Sequence, residues 1–415
     1  MIKLPMEITH MIKIIEDAGF EAFAVGGCVR DSILGRTPED WDLTSNASRD
    51  TLEALFPEAT IVNKKLGVMR ITEGEVTADI AAYRIDGEYK DYRRPETVIF
   101  TKEICEDLRR RDFTMNAIAV SPHRGEVDPF HGREDIERKL IRGIGDPRLR
   151  FEEDALRILR AIRFASQLGF EIDSETLKAM KERSRLLEHI SAERIREEFE
   201  KTITAEKSGE GLKLLIKTGA LLYILGEDCL KNATESEMKK LSVLSENIDR
   251  SKNQRNIRLA LVYCCFEKDN GFHAIEMLSY SNEMKRLLQN AVGLVGELDE
   301  IRDKLELKRF ISRIGSENYQ YLTDVLVQQC IVYHFDGGAL HHRTQLYNEI
   351  QSSGEPIFIE DLAVNGNDLI EAGFPKGVGI GKLLHLLLDV VHQAPEKNER
   401  KLLLKMLKGI ENGEK

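Results

Sequence analysis

Phe23-Ala24-Val25-Gly26-Gly27-Cys28-Val29-Arg30-Asp31, followed by Asp40-Trp41-Asp42, is the stretch that decides the reading of this chain. Phe23-Ala24-Val25 is a short apolar strand signal stopped by two glycines. Glycines after a strand let the backbone turn tightly and approach a ligand closely. The backbone N–H groups of the helix start that follows, together with Arg30, suit a triphosphate. On a strand, residues two apart point the same way, so Asp40 and Asp42 face one side about 7 Å apart. Two carboxylates so placed can hold magnesium while Trp41 packs on the other side. Either piece alone reads as an ordinary turn or a solvated loop; together at this spacing they are specific.

Further strand signals lie in the first 140 residues. Val76, Ala78, Ile80 and Ala82 share one face of an alternating run, and Thr77, Asp79, Ala81 and Tyr83 the other. Asp79 is therefore a candidate third carboxylate beside Asp40 and Asp42. Val98-Ile99-Phe100 is another strand, and Met11 to Ala18 and Ser48 to Phe56 read as helices. Beyond Asp146-Pro147 the apolar residues fall at helical spacing. Phe151 to Leu168 reads as one helix, and the stretches 192–203, 209–218, 256–266, 272–278, 282–298 and 382–391 read as others. The fold class is α+β: a mixed-sheet head followed by a long helical remainder.

Two more clusters carry chemistry. Arg109-Arg110-Arg111-Asp112-Phe113-Thr114 reads as a basic solvated turn before a capped helix. Its functional alternative has Arg111 and Asp112 touching the phosphates and sugar of a nucleotide. Taken alone, the turn is the preferred reading. In Glu153-Asp154-Ala155-Leu156-Arg157, Asp154 and Arg157 stand at i and i+3, where the plain reading is an intrahelical ion pair. The alternative follows from base edges. Cytosine and adenine each present an amino donor beside a ring-nitrogen acceptor, so Asp154 accepts and Arg157 donates. Uracil and guanine reverse that pattern, and such contacts discriminate by about 1–3 kcal/mol each. Arg160 and Arg163 continue the row at about −60° per step and suit phosphate or ribose contacts.

Composition sets the outer limits. The 415 residues carry a net charge of −11, with 42% hydrophobic and 32% charged residues. That excludes a collagen-like, low-complexity or mainly disordered chain and calls for several domains. The acidic balance argues against coating nucleic acid by bulk charge. A local basic track exists nonetheless, in Arg142, Arg148, Arg150, Arg157, Arg160 and Arg163. Six cysteines without a C-x-x-C pair read as reduced, mostly buried thiols. The start lacks a signal-peptide core and no apolar run reaches about 20 residues, so a cytoplasmic location without membrane contact is expected.

These motifs resemble those of the class II tRNA nucleotidyltransferase and bacterial poly(A) polymerase superfamily. The carriers are Gly26-Gly27 to Arg30-Asp31, Asp40-x-Asp42, Arg110-Arg111-Asp112-Phe113-Thr114 and Glu153-Asp154-x-x-Arg157. Matches are dense from about residue 20 to 200, where Ile190 to Glu198 resembles a later helical motif of structural role. Val364-x-Gly366-x-Asp368-Leu369, Gly377-x-Gly379-x-Gly381 and Asn398-Glu399 resemble the tail of CCA-adding enzymes from low-GC Gram-positive bacteria. Trp41 replaces an aliphatic residue, Cys28 an alanine, and Asp79 a frequent glutamate.

The resemblance implies a polymerase-beta-like nucleotidyltransferase head at 1–140, a neck at 141–205, a body at 206–290 and a tRNA-binding tail at 291–415. It implies Mg2+, CTP and ATP, a tRNA 3′ end as acceptor and no nucleic-acid template. Asp40 and Asp42 become the catalytic metal ligands. Gly27, Arg30, Arg111, Asp112, Asp154, Arg157, Arg160 and Arg163 become the nucleotide site. The expected activity is addition of C, C and A with release of pyrophosphate. Alternatives are a poly(A) polymerase, a CC- or A-adding specialist and, more remotely, a non-catalytic RNA-binding relative. Oligomeric state stays open, a homodimer being one option. No histidine–aspartate hydrolase signature is present in the C-terminal half. The charged run from Arg84 to Pro95 resembles the flexible loop of full CCA-adding enzymes and is expected to act as a lever for the final A.

Overall fold

The computed structural model describes residues 2–64, 66–87, 92 and 97–411, with side chains to 408. Most of the charged run from Arg84 to Pro95 lies outside them. The chain divides into two compact units, residues 1–232 with 276–279, and residues 233–275 with 280–415.

The first unit opens with helix α1 (Met6–Asp17), whose buried Ile8, Met11, Ile12 and Ile15 form one stripe at helical spacing. Strands β1 (Ala22–Val25), β2 (Trp41–Ser45), β3 (Thr60–Asn63), β4 (Val68–Glu73) and β5 (Val76–Ala82) follow. A small hairpin, β6 (Arg84–Asp86) with β7 (Val98–Phe100), stands apart. Strands β8 (Ala119–Ser121) and β9 (Gly125–Val127) complete a seven-stranded sheet of order β3-β4-β5-β2-β1-β8-β9. Only β2 and β5 pair in parallel within it, which sets Asp42 directly opposite Asp79. All four residues of β1 are buried. Phe23 and Val25 share a core with Tyr83, Leu108, Ala117, Ala119 and Ile144. The expected strands at 23–25, 76–82 and 98–100 are present. The β3–β4 hairpin escaped sequence reading because β3 is a fully exposed edge strand with no alternation to mark it.

Helices α2 (Gly27–Ile33), α3 (Arg49–Leu55), α4 (Ile104–Arg109) and α5 (Gly132–Glu137) belong to the same unit, and α2 packs on β1 and β2. The expected single helix from Phe151 to Leu168 is instead two: α6 (Pro147–Glu153) and α7 (Leu156–Leu168). The break falls at Asp154, whose backbone is extended at φ −140° and ψ 101°. Its carboxylate accepts from Leu156 N at 3.1 Å, and Ala155 N donates to Tyr92 O at 3.2 Å. A short acidic side chain has thus taken over a helix-start amide, the cap role that aspartate favours.

Helices α8 (Ser174–Arg183), α9 (Ala192–Ile203) and α10 (Ser208–Thr218) follow, and α7 packs on α9 and α10. Any side chain at Gly211 would run into Ser166 and Thr202, so a glycine is needed for these helices to cross closely.

The second unit holds no strand among its described residues. Helices Arg255–Tyr263, Asn282–Glu300 and Ser316–Tyr333 pack on one another. Toward its end, Val378–Gln393 and Arg400–Glu411 form a helical hairpin. Leu387, Leu388 and Val391 of the first helix and Leu403 and Leu407 of the second share its core. No described helix is long and apolar enough to cross a membrane. All six cysteines are free, and Cys105 alone is exposed.

Candidate active site

A cleft of about 1050 Å³ opens in the first unit, lined by the β1–α2 turn, the start of β2, the turn after α4, and helices α7 and α9. Gly26 makes its floor possible. At φ +88° it adopts a backbone shape that side chains resist, and a Cβ there would stand 3.1 Å from Arg111 Nη1.

Asp40 and Asp42 both line the cleft, and Trp41 between them is buried, as the alternation predicts. Asp42 belongs to β2, whereas Asp40 sits in the bend just before it. Among the described residues neither carboxylate has a salt-bridge partner or a side-chain hydrogen bond. Desolvation within the cleft raises the Asp42 pKa above the ordinary carboxylate value. Arg111 opposes that rise, and Asp79 and Asp40 add to it. Two acidic groups that share a cleft and have no salt-bridge partner of their own suit a divalent ion. No described cluster of three or more His, Cys, Asp or Glu could hold a metal by itself.

Asp79 differs from its expected role. Arg70, opposite it across β4–β5, donates to both its oxygens at 2.7 and 2.9 Å. Its carboxylate is engaged rather than offered to the cleft.

The arginines form a fixed lattice. Asp112 accepts from Arg160 Nη2 and Nε on one oxygen, and from Phe113 N and Asn116 Nδ2 on the other. Those four bonds fill the acceptor sites of a carboxylate. Asp112 thus holds Arg160 in place within the cleft. Burial alone would raise its pKa, but Arg160 and Asn116 hold it well below the usual range. Arg30 is buried, bonded to Asn116 Oδ1 at 2.8 Å and paired with Asp31. Phe164 gathers three guanidinium groups on its ring, Arg163 at 4.2 Å, Arg30 at 4.9 Å and Arg160 at 5.4 Å. Arg163 also pairs with Glu198 of α9 at 2.7 Å.

The basic track from Arg142 to Arg163 is not continuous. Arg142 pairs with Asp135 and Asp173, Arg148 with Glu182, and Arg150 with Glu153. Only Arg157, Arg160 and Arg163 of the six reach the cleft. Acids near them in space, Asp135, Asp173 and Glu182 among them, absorb the rest.

Asp154 and Arg157 line the same cleft, but not as an intrahelical pair. Arg157 is buried and donates to Glu153 Oε2 at 2.7 Å, Arg150 O at 3.0 Å and Arg110 O at 2.9 Å. Asp154 faces Arg194 of α9 at 3.6 Å. Burial raises its pKa, while Arg194 and then Arg157 pull it down. Sequence reading passed over Asn116, Glu153, Phe164 and Arg194 as site residues. Phe164 carried only an apolar helical signal, and Arg194 lay in a motif read as structural. The spacing of Arg194 and Lys201, two turns apart on one helix, was the available clue.

Comparison with known proteins agrees with this geometry. The family model described as Poly A polymerase head domain matches residues 22–142, and one described as Probable RNA and SrmB- binding site of polymerase A matches 169–227. A CCA-adding enzyme of a Geobacillus species is 32% identical over 394 residues, 94% of each chain. One from Streptococcus mutans is 30% identical over 408 residues, 97% of each. The crystal structure of the Bacillus stearothermophilus CCA-adding enzyme in complex with CTP aligns at a TM-score of 0.78 and 28% identity, covering 98% of both chains. With a likeness that spans 94% or more of the chain, the chain belongs to the CCA-adding enzymes, a family of tRNA nucleotidyltransferases.

Proposed function

We infer that this protein adds C, C and A to the 3′ end of tRNA from CTP and ATP, and that the cleft described above does it. One observation carries the reading of the site: an unpaired carboxylate pair shares a single cleft with a braced arginine lattice, a half-buried Asp154 and a buried Arg157. Magnesium bound by Asp40 and Asp42 would supply charge neutralisation at the α-phosphate and polarise the attacking and leaving oxygens. The protein's own residues do the rest. Arg111, whose buried Nε has no partner, and the Phe164-centred arginines bind and orient the triphosphate. Asp112 acts through Arg160. Asp154 accepts from the base amino group and Arg157 donates to the ring nitrogen. The RNA 3′-OH then attacks the α-phosphorus, a new P–O bond forms, the α–β bridging bond breaks and pyrophosphate leaves.

Residues 1–140 serve as catalytic head and 141–205 as base-selecting neck, with 206–290 as body and 291–415 gripping tRNA. The work is placed in the cytoplasm, where its nucleotide substrates are.

The test is incubation of purified protein with tRNA lacking its last three nucleotides. CTP alone should extend it by two residues, and CTP with ATP by three. A long A tail would mean a poly(A) polymerase, arrest after two additions a CC specialist, and no extension a non-catalytic relative.

A further inference from the structure

Arg194 lines the cleft, and among the described residues neither of its amino groups has a close hydrogen-bonded partner. It sits in the first turn of α9, with Nη2 3.6 Å from Asp154 Oδ2. Its Nη1 is buried and has no hydrogen-bond partner. One turn further along the helix, Glu198 holds Arg163. Asp154 thus has one oxygen taken by Leu156 N, and its other oxygen faces Arg194. The Arg157 guanidinium is bound by Glu153 and two main-chain carbonyls and makes no hydrogen bond to the Asp154 carboxylate; its backbone N alone donates to Asp154 O, at 3.0 Å.

From this arrangement we propose that Arg194 is a positioning residue for base selection: it orients the Asp154 carboxylate and keeps it an acceptor. The proposal rests on the reading of Asp154 as the group that meets the base amino group. Its chemistry concerns the proton. An ionised Asp154 accepts from the amino group of cytosine or adenine. A protonated Asp154 donates, and so suits the carbonyl of uracil or guanine instead. Burial already favours the protonated form. The charges facing Asp154 are Arg194 from α9, Arg157 and Arg160 from α7, and Glu153 beside it in the chain. Tyr92, bonded to Ala155 through its carbonyl, carries the His189 ring stacked at 4.7 Å. Arg194 is the leading cation of this set. Without it, Asp154 takes up its proton at a higher pH than in the parent.

The experiment compares Arg194→Met, Arg194→Lys and Asp154→Asn with the parent. It measures UTP and GTP incorporation against CTP and ATP across pH 5.5 to 8.5, with tRNA affinity and thermal unfolding alongside. Arg194→Met should raise UTP and GTP incorporation by about tenfold or more, within the range of one lost discriminating contact. The error should grow as pH falls and shrink as pH rises, since ionisation restores the acceptor. Arg194→Lys should recover most of the fidelity. Asp154→Asn should lose fidelity at every pH, with no slope. If Asp154→Asn loses fidelity and Arg194→Met does not, or does so without a pH slope, the proposal is overturned while the reading of Asp154 stands. If Asp154→Asn keeps full fidelity, the reading of Asp154 itself fails. Should Arg194→Met unfold, Arg194→Lys decides by its own pH slope against the parent.

Discussion

Arg160 and Asp112 lie 48 residues apart, yet Arg160 donates from both Nη2 and Nε to a single oxygen of Asp112, at 2.6 and 2.9 Å. The contact ties helix α7 to the turn that follows α4, across the floor of the cleft.

Asp112→Asn should therefore cost stability as well as activity. Removing one partner of a buried pair costs about 3–5 kcal/mol, and the partial exposure of Arg160 lowers the expectation to about 2. The Asp112 pKa is depressed on folding. Such a group stabilises the fold above its unfolded pKa of about 3.9, and that contribution fades as pH falls below it. The melting-temperature gap between variant and parent should be full at pH 7 and narrow below pH 4, as read by calorimetry.

Asp42→Ala should remove addition of both C and A, by roughly a thousandfold or more, as loss of several kcal/mol of metal-assisted stabilisation requires. Affinity for tRNA should hold. Single-turnover rates and a filter-binding isotherm on the same preparation check this, and appreciable turnover would remove Asp42 from the metal site.

Gly26→Ala confronts both a positive φ and the Arg111 guanidinium. The backbone cost is about 1–2 kcal/mol. Activity should suffer more than stability, because the displaced groups are Arg111 and Asp42. Denaturant unfolding and nucleotide KM, measured together, separate the two.

Glu153→Ala leaves Arg157 with its two carbonyl partners but no counter-ion. We expect misincorporation of UTP or GTP to rise about five- to fiftyfold, from a guanidinium no longer fixed in direction. Fidelity equal to the parent would mean that the two carbonyls suffice.

The meeting of Asp40 and Asp42 at one cleft was legible from the sequence because its signal is local. Two aspartates flanking a tryptophan on a strand leave little else for the side chains to do. The break at Asp154 was not legible, because apolar spacing continues through it from Phe151 to Leu168 while one side chain and one distant carbonyl redirect the amides. Asp112 shows a second limit. Its residue type announced an acceptor, but its four occupied bonds come from residues 1, 4 and 48 positions away. Arg148 shows the same limit in charge, since its partner Glu182 lies on another helix.

Asp154 is mounted between two helices rather than within one. Its torsions can change without breaking the regular ladder of α6 or of α7. Its setting depends on a handful of neighbouring bonds worth about 1 kcal/mol each. If Asp154 reads the base, as inferred above, information that a copied strand would hold as a string of bases is held here as the stiffness of a joint, and accuracy becomes a mechanical property that heat and solvent can erode.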